Sequence, residues 1–175
     1  MGKASLVIGL VEDTRQQQFV YRFLREIGYL AHQIRFRPVP GGGGSGAHWV
    51  LDRYADIVEA YRLRSARAET ALVVAIDADD GSVSRRQQQF RDRAARTADE
   101  RIAHMIPKWS IETWVLCLTG RNVDEDQSYR REPGIEEQIG PAAANFFHWT
   151  RPNTVPPTHC IPSLLAAIPE VRRLE

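Results

Sequence analysis

The sequence predicts an α/β protein in which a mostly parallel sheet lies between two layers of helices. In the first 120 residues, short apolar runs rich in β-branched residues alternate with longer segments whose apolar residues recur at helical spacing. A strand followed by a helix, repeated four times, is typical of a parallel sheet covered on both faces. The 175 residues are 43% hydrophobic and 26% charged, which is enough for a substantial core.

The individual elements are assigned by the length and period of their apolar residues. The predicted strands are residues 4–11, 32–39, 71–76 and 102–106. The predicted helices are residues 14–27, 49–63, 83–101, 111–118, 135–147 and 163–174. Thr14 is the expected N-cap of the first helix and Gly28 its expected C-terminal stop. The glycine-rich segment 41–46 is expected to be a flexible loop.

The character of the sequence changes at Arg121, which predicts a domain boundary. Residues 4–120 are expected to form the α/β domain. Residues 121–175 contain a polar segment, four prolines between 149 and 162, and two short predicted helices. We expect this part to be a small helical and irregular C-terminal extension that packs on the domain or on a partner.

Composition excludes several classes of protein. No apolar run approaches the roughly 20 residues that span a bilayer, and the N-terminus lacks the cleavage site of a signal peptide, so we expect a cytoplasmic protein and no membrane partner. Cys117 and Cys160 form no CxxC pair, which argues against a disulfide framework. The net charge of +1 provides no overall basic field for a polyanion.

Acidic residues follow the two most apolar strands. Glu12 and Asp13 come after the first strand, and Asp77, Asp79 and Asp80 come after the ALVVAI strand. Ligands of open α/β sheets bind beyond the carboxyl ends of the strands, so these carboxylates converge if the two strands are neighbours. In an extended chain the side chains of Asp77 and Asp79 would point the same way. Crowded carboxylates repel one another, and a hard cation such as Mg²⁺ or Mn²⁺ is the expected counter-ion.

This arrangement resembles the Toprim family, in which an apolar strand ends in a glutamate and a later apolar strand ends in Asp-x-Asp. The family includes topoisomerases, primases and nucleases, and the resemblance covers residues 4–120. It implies a three-layer, Rossmann-like fold. It also implies that Glu12 is a general acid/base or metal ligand and that Asp77 and Asp79 are catalytic metal ligands.

A second segment, residues 106–114, resembles the Pro…Glu-x-Trp segment of Toprim-like proteins of bacterial antiphage defence systems, the overcoming-lysogenization-defect type among them. By this resemblance Glu112 is a further metal ligand and Lys108 neutralises phosphate charge in the transition state. Two positions depart from the family pattern, because Asp13 replaces a common glycine and Gln16 replaces an acid found in some nuclease members. These departures leave one-metal and two-metal sites both open.

The resemblance implies a divalent-metal-dependent nuclease that acts on DNA or RNA. It further implies an effector of an antiphage defence system, working with an ATPase partner or as a homo-oligomer. Arg85 and Arg86 follow the second acidic cluster closely, where we expect them to contact the phosphate backbone of a nucleic acid.

Other interpretations of the same residues stay open. In a receiver-type signalling domain, Asp77 would accept a phosphoryl group and Lys108 would be its partner. A catalytically silent Toprim-like subunit would only bind a partner protein. Asp13 and Asp80 are equally good candidates for helix caps. Zinc is not expected, because His148, His159 and Cys160 have no second pair of ligands to complete a site.

Overall fold

The computed structural model describes residues 3–38, 46–79 and 82–175. Four strands lie within these ranges: β1 Leu6–Val11, β2 Ile34–Phe36, β3 Thr70–Ala75 and β4 Ile102–Met105. The α-helices are α1 Thr14–Ile27, α2 Gly46–Ser65, α3 Val83–Arg93, α4 Ile111–Leu118, α5 Ile135–Thr150 and α6 Pro162–Val171. All strand pairs are parallel, and the strand order is β2-β1-β3-β4. The predicted three-layer α/β class is therefore confirmed.

The strands are buried on both faces because their side chains alternate between two separate cores. On one face, Val7 of β1 and Val73 of β3 pack with residues of α1, α4, α5 and α6. On the other face, Leu10 of β1 and Val74 of β3 pack with residues of α2 and α3. This alternation explains why β1 and β3 read as continuous apolar runs.

Some predicted boundaries were wrong, each for a local reason. The second strand is shorter than 32–39 because Ala31–Gln33 form a 3₁₀ turn. The third helix ends at Arg93 instead of Arg101, where the side chain of Glu100 accepts from the backbone N–H of Thr97 and competes with helix formation.

The N-terminal ends of two helices also differ from prediction. Asp13 caps α1 in place of Thr14, which confirms the open interpretation of Asp13 as a helix cap, because its carboxylate accepts from the backbone N–H of Gln16 at 2.8 Å. Gly46, predicted as a loop residue, is the first residue of α2. The rest of the predicted glycine loop, 41–45, and Asp80 lie outside the described residues.

The segment after Arg121 contributes to the main core. Helix α5 packs on α1 and α4, and α6 packs on β4. The hydroxyl of Tyr29 donates to the carbonyl of Leu174 at 2.9 Å, which ties the C-terminal end to the turn after α1. No helix in the described ranges combines the length and apolar character needed to cross a bilayer.

Candidate metal centre

The candidate site lies where the order of the strands in the sheet reverses relative to their order in the chain. The chain passes from β1 to β2 on one side, and β3 then pairs with β1 on its other side. In open parallel sheets such a topological switch point leaves a crevice beyond the carboxyl ends of the two central strands. Glu12 follows the last residue of β1, and Asp77 comes two residues after β3. The expectation that the two acidic strand ends are neighbours is confirmed.

Three carboxylates meet in this crevice. Glu12, Asp77 and Asp79 each place one oxygen within 4.8 Å of the oxygens of the other two. Asp77 is buried, with 2% of its surface exposed, whereas Glu12 and Asp79 are half-buried. One wall is formed by the first residue of α2, because a Cβ atom on Gly46 would lie 2.5 Å from Cγ of Glu12.

Hydrogen bonds fix the relative positions of Glu12 and Asp77. The backbone N–H of Asp77 donates to Oε2 of Glu12 at 2.9 Å. The side-chain amide of Gln16 donates from Nε2 to Oδ1 of Asp77 at 2.8 Å, and its Oε1 accepts from the backbone N–H of Glu12 at 3.0 Å. Gln16 is fully buried and connects both strand ends to α1.

The third carboxylate reaches the cluster through a turn. An extended chain from Asp77 to Asp79 was expected, but Asp79 has φ 53°, in the left-handed region. That part of the prediction was wrong. Aspartate tolerates this conformation better than most residues, yet it remains uncommon outside turns and functional sites. Asp79 therefore joins the cluster from a left-handed backbone conformation and not from an extended one.

A guanidinium group from the C-terminal segment lies against these acids. Nη2 of Arg130 donates to Oδ2 of Asp77 at 3.1 Å, to Oδ1 of Asp79 at 3.0 Å and to the carbonyl of Trp109 at 3.2 Å. The carbonyl of Arg130 in turn accepts from Nη1 of Arg15 at 3.1 Å. The protein therefore supplies its own cation to the acidic cluster.

Burial and mutual repulsion set the protonation of the acids. Burial, followed by the charges of Glu12 and Asp13, raises the pKa of Asp77 well above its ordinary value, against the opposing charge of Arg130. Burial also raises the pKa of Glu12, against the hydrogen bond from the backbone N–H of Asp77. Both acids would therefore gain from an additional positive charge nearby.

The two arginines predicted to bind phosphate occupy different environments. Arg86 is buried, donates from Nε to the carbonyl of Asp77 at 3.0 Å, and lies 3.5 Å from Oδ2 of Asp79 through Nη2. Arg86 therefore connects the backbone of Asp77 to the carboxylate of Asp79. Arg85 is exposed, and its backbone N–H donates to the hydroxyl of Ser82 at 3.2 Å.

The two remaining predicted site residues lie beside the cluster and have other partners. Glu112 is buried and accepts from Nη1 of Arg15 at 2.6 Å, and it is not among the three carboxylates that converge. The ammonium group of Lys108 pairs with Asp126, and this hydrogen bond raises the pKa of Lys108.

Sequence reasoning missed Arg130 and the bridging role of Gln16. Arg130 lies in a polar segment with no regular pattern, 53 residues from Asp77, so no local signal indicated it. Gln16 was noted only as a departure from a family pattern. Its position on the buried face of α1, next to an acidic strand end, was the available signal.

The donor set suits a hard divalent cation. The three converging side chains offer only carboxylate oxygens, which Mg²⁺ and Mn²⁺ prefer over nitrogen or sulfur. Asp77 and Asp79 each accept a hydrogen bond from Arg130, so a cation at this point would compete with the guanidinium group for their negative charge.

Fold and site together define an α/β protein with an acidic centre at the switch point of its sheet. Comparison with known proteins found no matching family model, no matching curated protein and no matching solved structure. The resemblance to the Toprim family therefore stays a prediction from the sequence.

Proposed function

We propose that this chain is a divalent-metal-dependent nuclease that cleaves phosphodiester bonds of DNA or RNA. The observation that carries the proposal is the meeting of Glu12, Asp77 and Asp79 within 4.8 Å at the switch point of the sheet. Ligand sites of open α/β sheets concentrate at this point. The proposal includes the roles implied by the resemblance: a cytoplasmic effector of antiphage defence that works with an ATPase partner or as a homo-oligomer.

Glu12, Asp77 and Asp79 would hold Mg²⁺ or Mn²⁺. When bound, such an ion stabilises the negative charge that develops on a phosphodiester under attack. The buried amide of Gln16 holds Asp77 in place, and the backbone N–H of Asp77 holds Glu12. Arg130, which lies against Asp77 and Asp79, carries a planar fork of donors that suits a phosphate group.

The experiment is a cleavage assay on plasmid DNA and on single-stranded DNA and RNA, with Mg²⁺ or Mn²⁺ and with EDTA. We expect cleavage only with metal, and a loss of at least about 100-fold in Glu12→Gln and in Asp77→Asn, because a metal ligand is removed without a change of shape. Asp92→Asn is the control, since Asp92 lies on α3 and pairs with Gln88. Cleavage in EDTA, or full activity of Asp77→Asn, would contradict the proposal.

The strand order favours one further candidate, a receiver-type phosphoacceptor domain. The order β2-β1-β3-β4 corresponds to the first four strands of the order 2-1-3-4-5. Flavodoxin-like folds have that order, and a response regulator is one of the proteins with such a fold. However, the expected acceptor Asp77 is buried beneath Arg130, and Lys108 pairs with Asp126 instead. Incubation with radiolabelled acetyl phosphate separates the two, because a receiver domain incorporates label at Asp77 and the proposed nuclease does not.

A further inference from the structure

A groove rich in arginine begins beside the acidic centre. Its first cleft has a volume of about 430 Å³, is lined by Leu10, Arg37, Trp49 and Arg53, and lies between β2 and α2. A second cleft of about 280 Å³ shares Arg37 with the first, and a third of about 450 Å³ shares Arg64 with the second. The three clefts therefore adjoin one another along α2.

The groove exists because α2 does not cover the edge of the sheet. Helix α2 packs over β1 and β3, and the edge strand β2 lies beyond it. Ile34 of β2 turns to the opposite core, so Arg35 and Arg37 face the groove. On α2, Arg53 and Arg64 are eleven residues apart, close to three helical turns, so they lie along the same side, and Arg67 follows the end of the helix.

Among the residues that the structure describes, these arginines have no internal partner. Within the described ranges, the guanidinium groups of the groove form no hydrogen bond and no ion pair; they belong to Arg35, Arg37, Arg53, Arg64 and Arg67. Asp56 is the one carboxylate among the described residues that line the three clefts. By contrast, Arg15, Arg62 and Arg96 on other surfaces are paired with acids. The groove is thus a concentrated positive surface on a chain of net charge +1.

The position and chemistry of the groove indicate its occupant. We propose that it binds a single strand of nucleic acid and leads that strand to the acidic centre; this rests on the proposed nuclease function. The first cleft adjoins the centre, because Leu10 lies two residues before Glu12 and α2 begins against Glu12 at Gly46. Half-buried Trp49 provides an aromatic surface among the arginines, and such a combination is typical of single-strand binding sites.

The length of the groove suits several nucleotides. Arg53 and Arg64 are eleven residues apart on α2, which corresponds to about 16 Å of helix. This distance is longer than one nucleotide of a single strand, so the arginines at its two ends would contact different phosphates. The guanidinium groups bind phosphate without selecting sequence, so we expect affinity with little base specificity.

Binding is measured by fluorescence anisotropy of a labelled 20-nucleotide single strand, as DNA and as RNA, in EDTA. The test variant is Arg53→Gln/Arg64→Gln, and the matched control is Arg22→Gln/Arg25→Gln, two exposed arginines of α1 on the opposite face of the sheet. We expect at least tenfold weaker binding by the test variant and less than a twofold change in the control. The slope of log affinity against log salt should fall by about 1.4 for two lost phosphate contacts.

Trp49→Leu provides an independent readout, since it keeps an apolar side chain but removes the aromatic ring; we expect at least fivefold weaker binding. Equal affinity of the Arg53→Gln/Arg64→Gln variant and its control would overturn the proposal. Duplex DNA bound as tightly as the single strand would overturn it too, as would phosphatidylserine vesicles bound more tightly than the oligonucleotide.

Binding is measured in EDTA and cleavage is measured with metal, so the two assays test the groove and the proposed function separately. If the Arg53→Gln/Arg64→Gln variant binds as well as its control while the protein still cleaves with metal, only the groove proposal is rejected. Groove-dependent binding without any metal-dependent cleavage rejects the nuclease and leaves a single-strand binding protein.

Discussion

Arg130 determines the charge of the acidic centre. One of its nitrogens donates to Asp77, Asp79 and the carbonyl of Trp109, all between 3.0 and 3.2 Å. A divalent cation at these carboxylates would lie close to the guanidinium group, and the two like charges repel. Binding of a cation therefore includes the cost of this repulsion or of moving Arg130 away.

Replacement of Arg130 by alanine removes this competition. We expect the dissociation constant for Mn²⁺, measured by isothermal titration calorimetry, to fall by roughly tenfold, or about 1.4 kcal/mol. We also expect the metal-free protein to become less stable, because the buried charge of Asp77 loses a partner.

Arg131→Ala is the matched control, since the neighbouring side chain is exposed and forms no ion pair within the described ranges. Unchanged or weaker Mn²⁺ binding in Arg130→Ala would indicate that Arg130 does not compete for the cation.

At the level of single residues, sequence reasoning found the acids but not their partners. Glu12, Asp77 and Asp79 were identifiable because they end strong apolar runs, and parallel strands place such ends together. Gln16 and Arg130 depend on how side chains from distant segments pack, and Arg130 reaches the site from an irregular segment. The same reason explains why Glu112 was expected in the cluster but pairs with Arg15 instead.

At the level of elements, the period of the apolar residues predicted the helices and strands that pack on the cores. It failed at helix ends that depend on polar side chains. Helix α1 and strand β3 were clear because their buried positions are regular. The end of α3 depends on side chains that bind the backbone of residues 94–101, which have no apolar period. In the sequence, Arg35 and Arg37 were only the polar residues of an alternating segment. The surface that they form together with α2 was therefore not predicted.

One ion pair joins the last helix to the edge of the sheet. Glu170 of α6 pairs with Arg96 at 2.5 Å and accepts from the backbone N–H of His104 in β4 at 3.0 Å. Both side chains of the ion pair are largely buried, with 15% and 19% of their surfaces exposed. Since an unpaired charge in such a place is unfavourable, the pair should contribute to the attachment of α6.

Glu170→Gln tests this attachment. We expect the free energy of unfolding to fall by about 2–3 kcal/mol, because Arg96 is left without its carboxylate partner. Chemical denaturation followed by circular dichroism measures it. The comparison variant is Glu175→Gln, which breaks the exposed pair with Arg151 and should change stability by less than about 0.5 kcal/mol. Equal effects of the two variants would show that burial of the Glu170 pair is irrelevant.

At the scale of the whole molecule, the segment 121–175 completes the main core and supplies one side of the site. Phe146 of α5 contacts Phe23 of α1, with ring centroids 4.9 Å apart, and Trp114 of α4, with centroids 5.9 Å apart. The indole of Trp114 donates to the hydroxyl of Ser163 at 2.8 Å. Arg130 reaches the acids from the same segment. The fold and the candidate centre therefore depend on the full length of the described chain.

This dependence predicts the behaviour of a chain cut after residue 120. The cut exposes the apolar faces of α1 and α4, including the fully buried side chains of Phe19, Phe23 and Trp114. Since each large core side chain contributes about 3–5 kcal/mol and whole domains are stable by only about 5–15 kcal/mol, we expect the fragment to show no cooperative thermal transition. Calorimetry measures this, with a chain lacking only the exposed Glu175 as the control. A fragment that unfolds cooperatively near the melting temperature of the full chain would identify residues 121–175 as a separable extension. The irregular segment would then be an addition to a complete α/β domain, and the acidic centre would have to function without Arg130.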